Sequence, residues 1–164
     1  MDFTSRQRVE IQGVFRLLSF VSLGLIFTVI IMGAFLSARG QGLSCSSWPL
    51  CPTGFSLSPA GEYFIEYVHR IIALIGAISV YVTTIYSIKR FMKASTAATI
   101  TSIAVSFQIV IGMLVVLSKL QPLIVAVHTG VGVLTLALTL LTFILSYPFI
   151  TGHADSNKAS SKAN

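Results

Sequence analysis

Leu123-Ile124-Val125-Ala126-Val127-His128-Thr129-Gly130-Val131-Gly132-Val133-Leu134-Thr135-Leu136, continuing to Tyr147, is apolar apart from small hydroxyls and one histidine. At about 1.5 Å of helix per residue it exceeds the roughly 30 Å of a bilayer's hydrocarbon. Three further runs reach that length, at about Leu17–Leu36, Ile71–Ile88 and Ala97–Leu117. Of the 164 residues 54% are hydrophobic and 10% charged, and the mean hydropathy is +0.87. Four spans leave little chain for a soluble domain. The expectation is an all-α membrane protein, a four-helix up-down bundle over residues 1–150, whose core comes from helix packing in lipid. The first run is longer than a signal-peptide core and lacks a clean cleavage site, so it reads as a retained span.

The net charge of +6 is a matter of topology rather than of nucleic-acid binding. Arg6, Arg8 and Arg16 precede the first span, Lys89, Arg90 and Lys93 separate the second and third, and Lys158 and Lys162 lie in the tail. Only Arg39, Arg70 and Lys119 fall on the opposite side. The positive-inside rule places both termini in the cytoplasm of a cell-membrane protein, with the basic residues against anionic lipid.

Residues 1–16 read as a polar, partly amphipathic lead-in. Residues 37–61 form a long outer loop rich in Gly, Ser and Pro, with both cysteines and the single tryptophan. Ser58-Pro59-Ala60-Gly61-Glu62 looks like a helix start, so the second helix begins above its apolar run. Residues 89–96 are a basic turn, and 118–122 a tight outer turn ending in Pro122. Residues 151–164 have the composition of a disordered tail. No internal repeat is legible.

On the second helix Glu62, Glu66, His69, Ala73, Gly76 and Val80 recur at three- and four-residue steps and share a face. On the fourth, His128 is followed by Gly132, Thr135 and Thr139. Small residues below each histidine would leave room for a wide planar ligand. Both histidines would lie about 10–15 Å in from the outer helix ends. Matched imidazoles on non-adjacent helices suit bis-histidine haem ligation. The competing reading is that each imidazole bonds a carbonyl or hydroxyl across the bundle; zinc would need further ligands. His153 belongs to the tail. Glu66 can move a proton or stabilise a developing positive charge, or pair with Arg70 or Arg39. Glu62 is a rim residue. Arg70 can hold a haem propionate or snorkel to the interface. Cys45 and Cys51, in Cys45-Ser46-Ser47-Trp48-Pro49-Leu50-Cys51, are compatible with a structural disulfide, a redox pair or free thiols. Gln108 and Gly112 read as helix packing with one interhelical hydrogen bond.

Taken together these segments resemble the haem A synthase family of cytochrome oxidase assembly proteins. Gly42-Leu43-Ser44-Cys45-Ser46-Ser47-Trp48-Pro49-Leu50-Cys51 is similar to the family's Gly-Leu-x-Cys-x-Asp-Trp-Pro-x-Cys signature. Glu66-Tyr67-Val68-His69-Arg70 is similar to its Glu-x-x-His-Arg motif, and His128-Thr129-Gly130 to its fourth-helix histidine. The chain departs in carrying Ser47 for the usual Asp and Arg39 where the family often has an arginine at the place of Ser37. Typical members have eight spans in two similar halves, each with a histidine pair; this chain resembles one half.

The resemblance implies oxidation of the C8 methyl of haem O to a formyl group. It implies His69 and His128 as axial ligands, Glu66 as catalytic carboxylate, Arg70 and Arg39 as propionate-binding candidates, and Cys45 and Cys51 as a redox or disulfide pair. It further implies haem b as cofactor and a homo-oligomer to supply both haem sites, with a haem O synthase or a terminal oxidase as candidate partners. Two other readings stay open: a non-catalytic haem-binding assembly factor and a b-type electron carrier. A transporter is disfavoured, since no broken-helix pair is visible.

Overall fold

The structure is a computed structural model that describes residues 3–45, 47–49, 51, 63–88 and 90–147. Four helices are present among them: α1 (Phe3–Ala38), α2 (Phe64–Ser87), α3 (Met92–Leu117) and α4 (Pro122–Leu145). Each is long and apolar enough to cross a membrane, as the sequence leads one to expect. The expected helix start at Ser58–Glu62, with Glu62 itself, lies outside the described residues, as do the tail and His153.

Two helices begin earlier than hydropathy alone suggests. The lead-in is part of α1, which contains no proline and only one glycine, Gly13, before Arg16. α3 starts at Met92 rather than inside the apolar run, because Ala94, Ala97 and Ala98 are strong helix formers and bury against the neighbouring helices. Pro122 occupies the first turn of α4, where its missing N–H would have had no partner.

The helices pack in a ring, α1 beside α2 and α4, and α3 beside α2 and α4. α2 and α4 therefore face each other on a diagonal. The interior is populated by small hydroxyl residues, Ser19, Ser22, Thr83, Thr84, Ser87, Thr101, Thr135, Thr139 and Thr142, all buried. Leu17, Leu134 and Leu140 point outward. Lipid removes the drive to bury leucine, while small residues let backbones approach and their hydroxyls bond locally or across helices. Ser22 Oγ lies 2.8 Å from Ser79 Oγ and 3.0 Å from Thr83 Oγ1. Thr84 Oγ1 lies 2.7 Å from Ser102 Oγ.

These buried positions form two matching sets. Ser22 and Ile26 on α1 correspond to Thr101 and Val105 on α3; Val80, Thr83 and Ser87 on α2 correspond to Thr139 and Thr142 on α4 and to Ser146 just past its end. The offset between partners is constant within each helix pair. The bundle thus consists of two similar hairpins, α1–α2 and α3–α4. The repeat keeps size and burial at most of these positions and residue type at only a few, such as Ser87 and Ser146, so it is faint in a residue-by-residue reading.

At one end of the bundle the loop after α1 meets the α3–α4 turn. Lys119 and Leu120 take left-handed backbone there, with φ of 54° and 63°. Leu120 covers Gly42, where an added Cβ would come within 3.2 Å of its Cδ2. This loop end carries the candidate site.

Candidate functional site

His69 and His128 each sit in the second turn of their helix, both half-buried, on the two helices that face across the diagonal. Each is seated on a glycine of the preceding helix in the same way. A Cβ on Gly33 would lie 3.3 Å from His69 Cε1 and 3.9 Å from its Nδ1, and a Cβ on Gly112 would stand at those same distances from His128. Nδ1 of both rings is buried without a hydrogen-bond partner. With Nδ1 turned to the glycine, Nε2 is the nitrogen placed to take a metal. Among the described residues no cluster of three or more His, Cys, Asp or Glu accompanies the pair.

Gln108 anchors α4 behind its histidine. Its Nε2 donates to the His128 carbonyl at 2.9 Å, the interhelical bond expected of it. Gly132 makes this possible, since a Cβ there would stand 2.9 Å from Gln108 Nε2. Gly76 likewise faces Leu25 and Ile26 of α1. The room left by these two glycines is therefore filled by neighbouring helices and does not form the expected planar slot.

Above His69 lies a polar cap that has no counterpart above His128 among the described residues. Cys45 and Cys51 are joined by a disulfide, with Cα atoms 4.9 Å apart. Both are buried against Tyr67, Val68 and Ile71. Glu66, 4% exposed, accepts from the Cys45 amide through Oε2 at 2.7 Å and from Arg70 Nη2 through Oε1 at 2.5 Å. Arg70 completes the clamp. Its Nη2 donates to the Cys45 carbonyl at 2.9 Å, and its Nη1 to the carbonyls of Ser47 at 2.5 Å and Pro49 at 3.2 Å. Glu66 and Arg70, a helical turn apart on α2, thus grip the backbone of the disulfide loop.

The structure therefore brings Glu66, Arg70, Cys45 and Cys51 into one cluster directly above His69. Arg39 stands apart, exposed, with its guanidinium 5.0 Å from the Phe35 ring centroid. Sequence reasoning missed Gly33, because a glycine inside an apolar run carries no signal until its neighbour is known. It also missed the amide of Cys45 as the partner of Glu66.

The sequence pattern of the cytochrome oxidase assembly proteins matches residues 54–163, which take in α2, α3 and α4 with both histidines and Glu66. The chain belongs to that family. It is similar to a heme A synthase of Alkalihalophilus pseudofirmus, with 31% identity over 145 residues that cover 82% of this chain and 47% of the relative. A heme A synthase of Shouchella clausii is 32% identical over 141 residues, covering 83% of this chain and 46% of the relative. One from Granulibacter bethesdensis is 27% identical over 136 residues, 77% of this chain and 36% of the relative. The chain spans about half the length of the curated relatives it matches. No solved structure matches it. With four membrane-length helices, this family member is a multi-pass membrane protein.

Proposed function

We propose that the protein makes haem A, oxidising the C8 methyl of haem O to a formyl group within the membrane. The observation that carries this reading is the matched pair His69 and His128, on diagonal helices at one level, each ring fixed on a glycine with Nδ1 buried and unpaired. Two imidazoles with no third such ligand beside them among the described residues suit a haem iron, whose remaining ligands are the porphyrin nitrogens. The residues present thus fit the group. A haem bound there, haem b in this reading, supplies redox-active iron.

The chain's own residues do the rest. His69 and His128 bind and orient the porphyrin between α2 and α4. Nδ1 of each ring lies buried on the glycine side, which leaves Nε2 as the ligand atom. Glu66 is the catalytic carboxylate: a buried acid in the turn above His69 can hold a proton or stabilise positive charge developing at the methyl carbon. Arg70 and Arg39 are candidates for the propionates; for Arg70 this means exchanging loop carbonyls for a carboxylate, while Arg39 is free to swing inward. The Cys45–Cys51 pair covers the site and is a candidate redox element. Both termini lie in the cytoplasm, the loop end faces outward, and residues 151–164 form a cytoplasmic tail. A homo-oligomer brings two histidine pairs together, one for cofactor and one for substrate, and a haem O synthase or terminal oxidase is the natural neighbour.

The engagement of Glu66 by the Cys45 amide and Arg70 favours a second reading, in which the carboxylate is structural and the chain binds haem without oxidising it. Expression in a host that makes haem O, with pigment extraction and mass analysis, separates the two. Haem A is expected; haem O or haem b alone in a red, low-spin preparation supports the carrier reading and overturns the enzyme. Mass measurement in nanodiscs tests the oligomer, and an active monomer would refute it.

A further inference from the structure

α1 continues past the level at which the other helices turn. Phe15 stacks on Phe91 of the α2–α3 turn with ring centroids 4.7 Å apart, and Tyr147 follows the end of α4. Arg16 therefore stands at the boundary of the bundle, opposite the histidine end. Its guanidinium lies 4.1 Å from the Tyr147 ring centroid. Its Nε is buried with no hydrogen-bond partner, and no carboxylate pairs with it among the described residues. Beside it a groove of about 360 Å³ opens between α1 and α4, lined by Gly13, Arg16, Leu17, Phe20, Phe143 and Tyr147. Phe20 and Phe143 lie 5.7 Å apart by centroid and make an aromatic wall leading away from the cation.

A cation with no carboxylate partner among the described residues, at the mouth of an apolar groove and at the membrane boundary, matches the chemistry of a phospholipid. A basic pocket between membrane helices attracts an anionic headgroup, and the wall offers contact to an acyl chain. The Tyr147 face is already taken by Arg16, so it is not available to a choline cation. We infer that this groove binds one anionic phospholipid, its phosphate on Arg16 and one acyl chain along Leu17, Phe20 and Phe143.

Native mass spectrometry of the detergent-extracted full chain tests this, using phosphatidylglycerol and phosphatidylcholine with identical acyl chains. One phosphatidylglycerol should be retained per chain, about fivefold more tightly than phosphatidylcholine, the ratio that about 1 kcal/mol per basic residue implies. Arg16→Gln should erase the preference. Gly13→Leu should evict both lipids with the charge intact, because a Cβ at Gly13 meets nothing within 4 Å and the new side chain can fill the groove. Helical content checks that the variants fold; if Arg16→Gln fails that check, Gly13→Leu decides. Excess glycerol phosphate should leave the adduct in place, and its displacement would show a site for free phosphate instead. Undiminished preference in Arg16→Gln, or a retained lipid in Gly13→Leu, overturns the inference.

Discussion

The α1–α2 and α3–α4 hairpins seat a histidine by the same device and finish it differently. In each, the imidazole rests on a glycine of the preceding helix at matching distances. Only the first hairpin carries a buried carboxylate, an arginine and a disulfide loop above the ring. In the second that space is closed by a short turn with Lys119 and Leu120 in left-handed backbone. On the proposed reading, gripping a planar ligand needs two equivalent contacts, which fits the duplicated part, and acting on a ligand needs one asymmetric polar group, which fits the part that is not duplicated.

The shared element is the first to break. His69→Ala and His128→Ala should each abolish the low-spin, six-coordinate haem spectrum, since a bis-imidazole site loses its character with either ligand. Absorbance and EPR of the purified variants check this. Full retention of the low-spin spectrum in either variant would show that the two hairpins are not equivalent.

Glu66→Gln addresses the unshared element. The amide keeps an acceptor for the Cys45 N–H but loses the charge facing Arg70. Haem A formation should fall by about 10²-fold or more, the usual contribution of a positioned acid or base, while bound haem persists. Pigment analysis beside the absorption spectrum reads both. An unchanged yield of haem A would reduce Glu66 to a loop anchor.

Both expectations start from residues that the sequence exposes, and the reason is physical. An ionisable side chain in an apolar run is conspicuous because lipid penalises it, so His69, His128 and Glu66 stand out. The four spans are legible for the same reason. Gly33 and the hydroxyl interior are not, because a small residue in a membrane helix has no assigned neighbour until the packing is known. Gly76 and Gly132 mislead in this way, offering apparent space that Leu25, Ile26 and Gln108 fill. The clamp on the loop is invisible for another reason: its acceptors are the backbone carbonyls of Cys45, Ser47 and Pro49, which any sequence supplies.

That clamp gives a smaller effect. Arg70→Gln removes the charged donor shared by three loop carbonyls and Glu66, and should lower the local opening free energy of the loop by about 2–3 kcal/mol, with hydrogen bonds to charged groups at about 1.5–3 each and not additive. Amide exchange at Cys45 should quicken, while the α3–α4 turn is unaffected. Reducing the disulfide should act in the same direction by about 2–2.5 kcal/mol, the chain-entropy value for so short a loop. Equal quickening in both hairpins would mean that the cap and the turn form one unit, joined through Leu120 on Gly42.

The finest test of the comparison is the pair Gly33→Ala and Gly112→Ala. Each new methyl would lie 3.3 Å from an imidazole Cε1, tight enough that the ring must yield by a few tenths of an ångström. Alanine favours the helix by about 1 kcal/mol over glycine, so the melting temperature should hold or rise and haem should stay bound. What should move is the ring orientation, read as a shift in the low-spin EPR g-values and the Soret maximum. If the two seats are equivalent, the two shifts should be of similar size. A larger shift in Gly33→Ala would mean that the polar cap resists the displaced ring and passes the strain to the ligand bond, because His69 has Glu66 and the clamped loop above it while among the described residues His128 has the turn. No shift in either variant would show that the imidazoles leave their glycines when haem binds, and the matched seating would then belong to the haem-free protein alone.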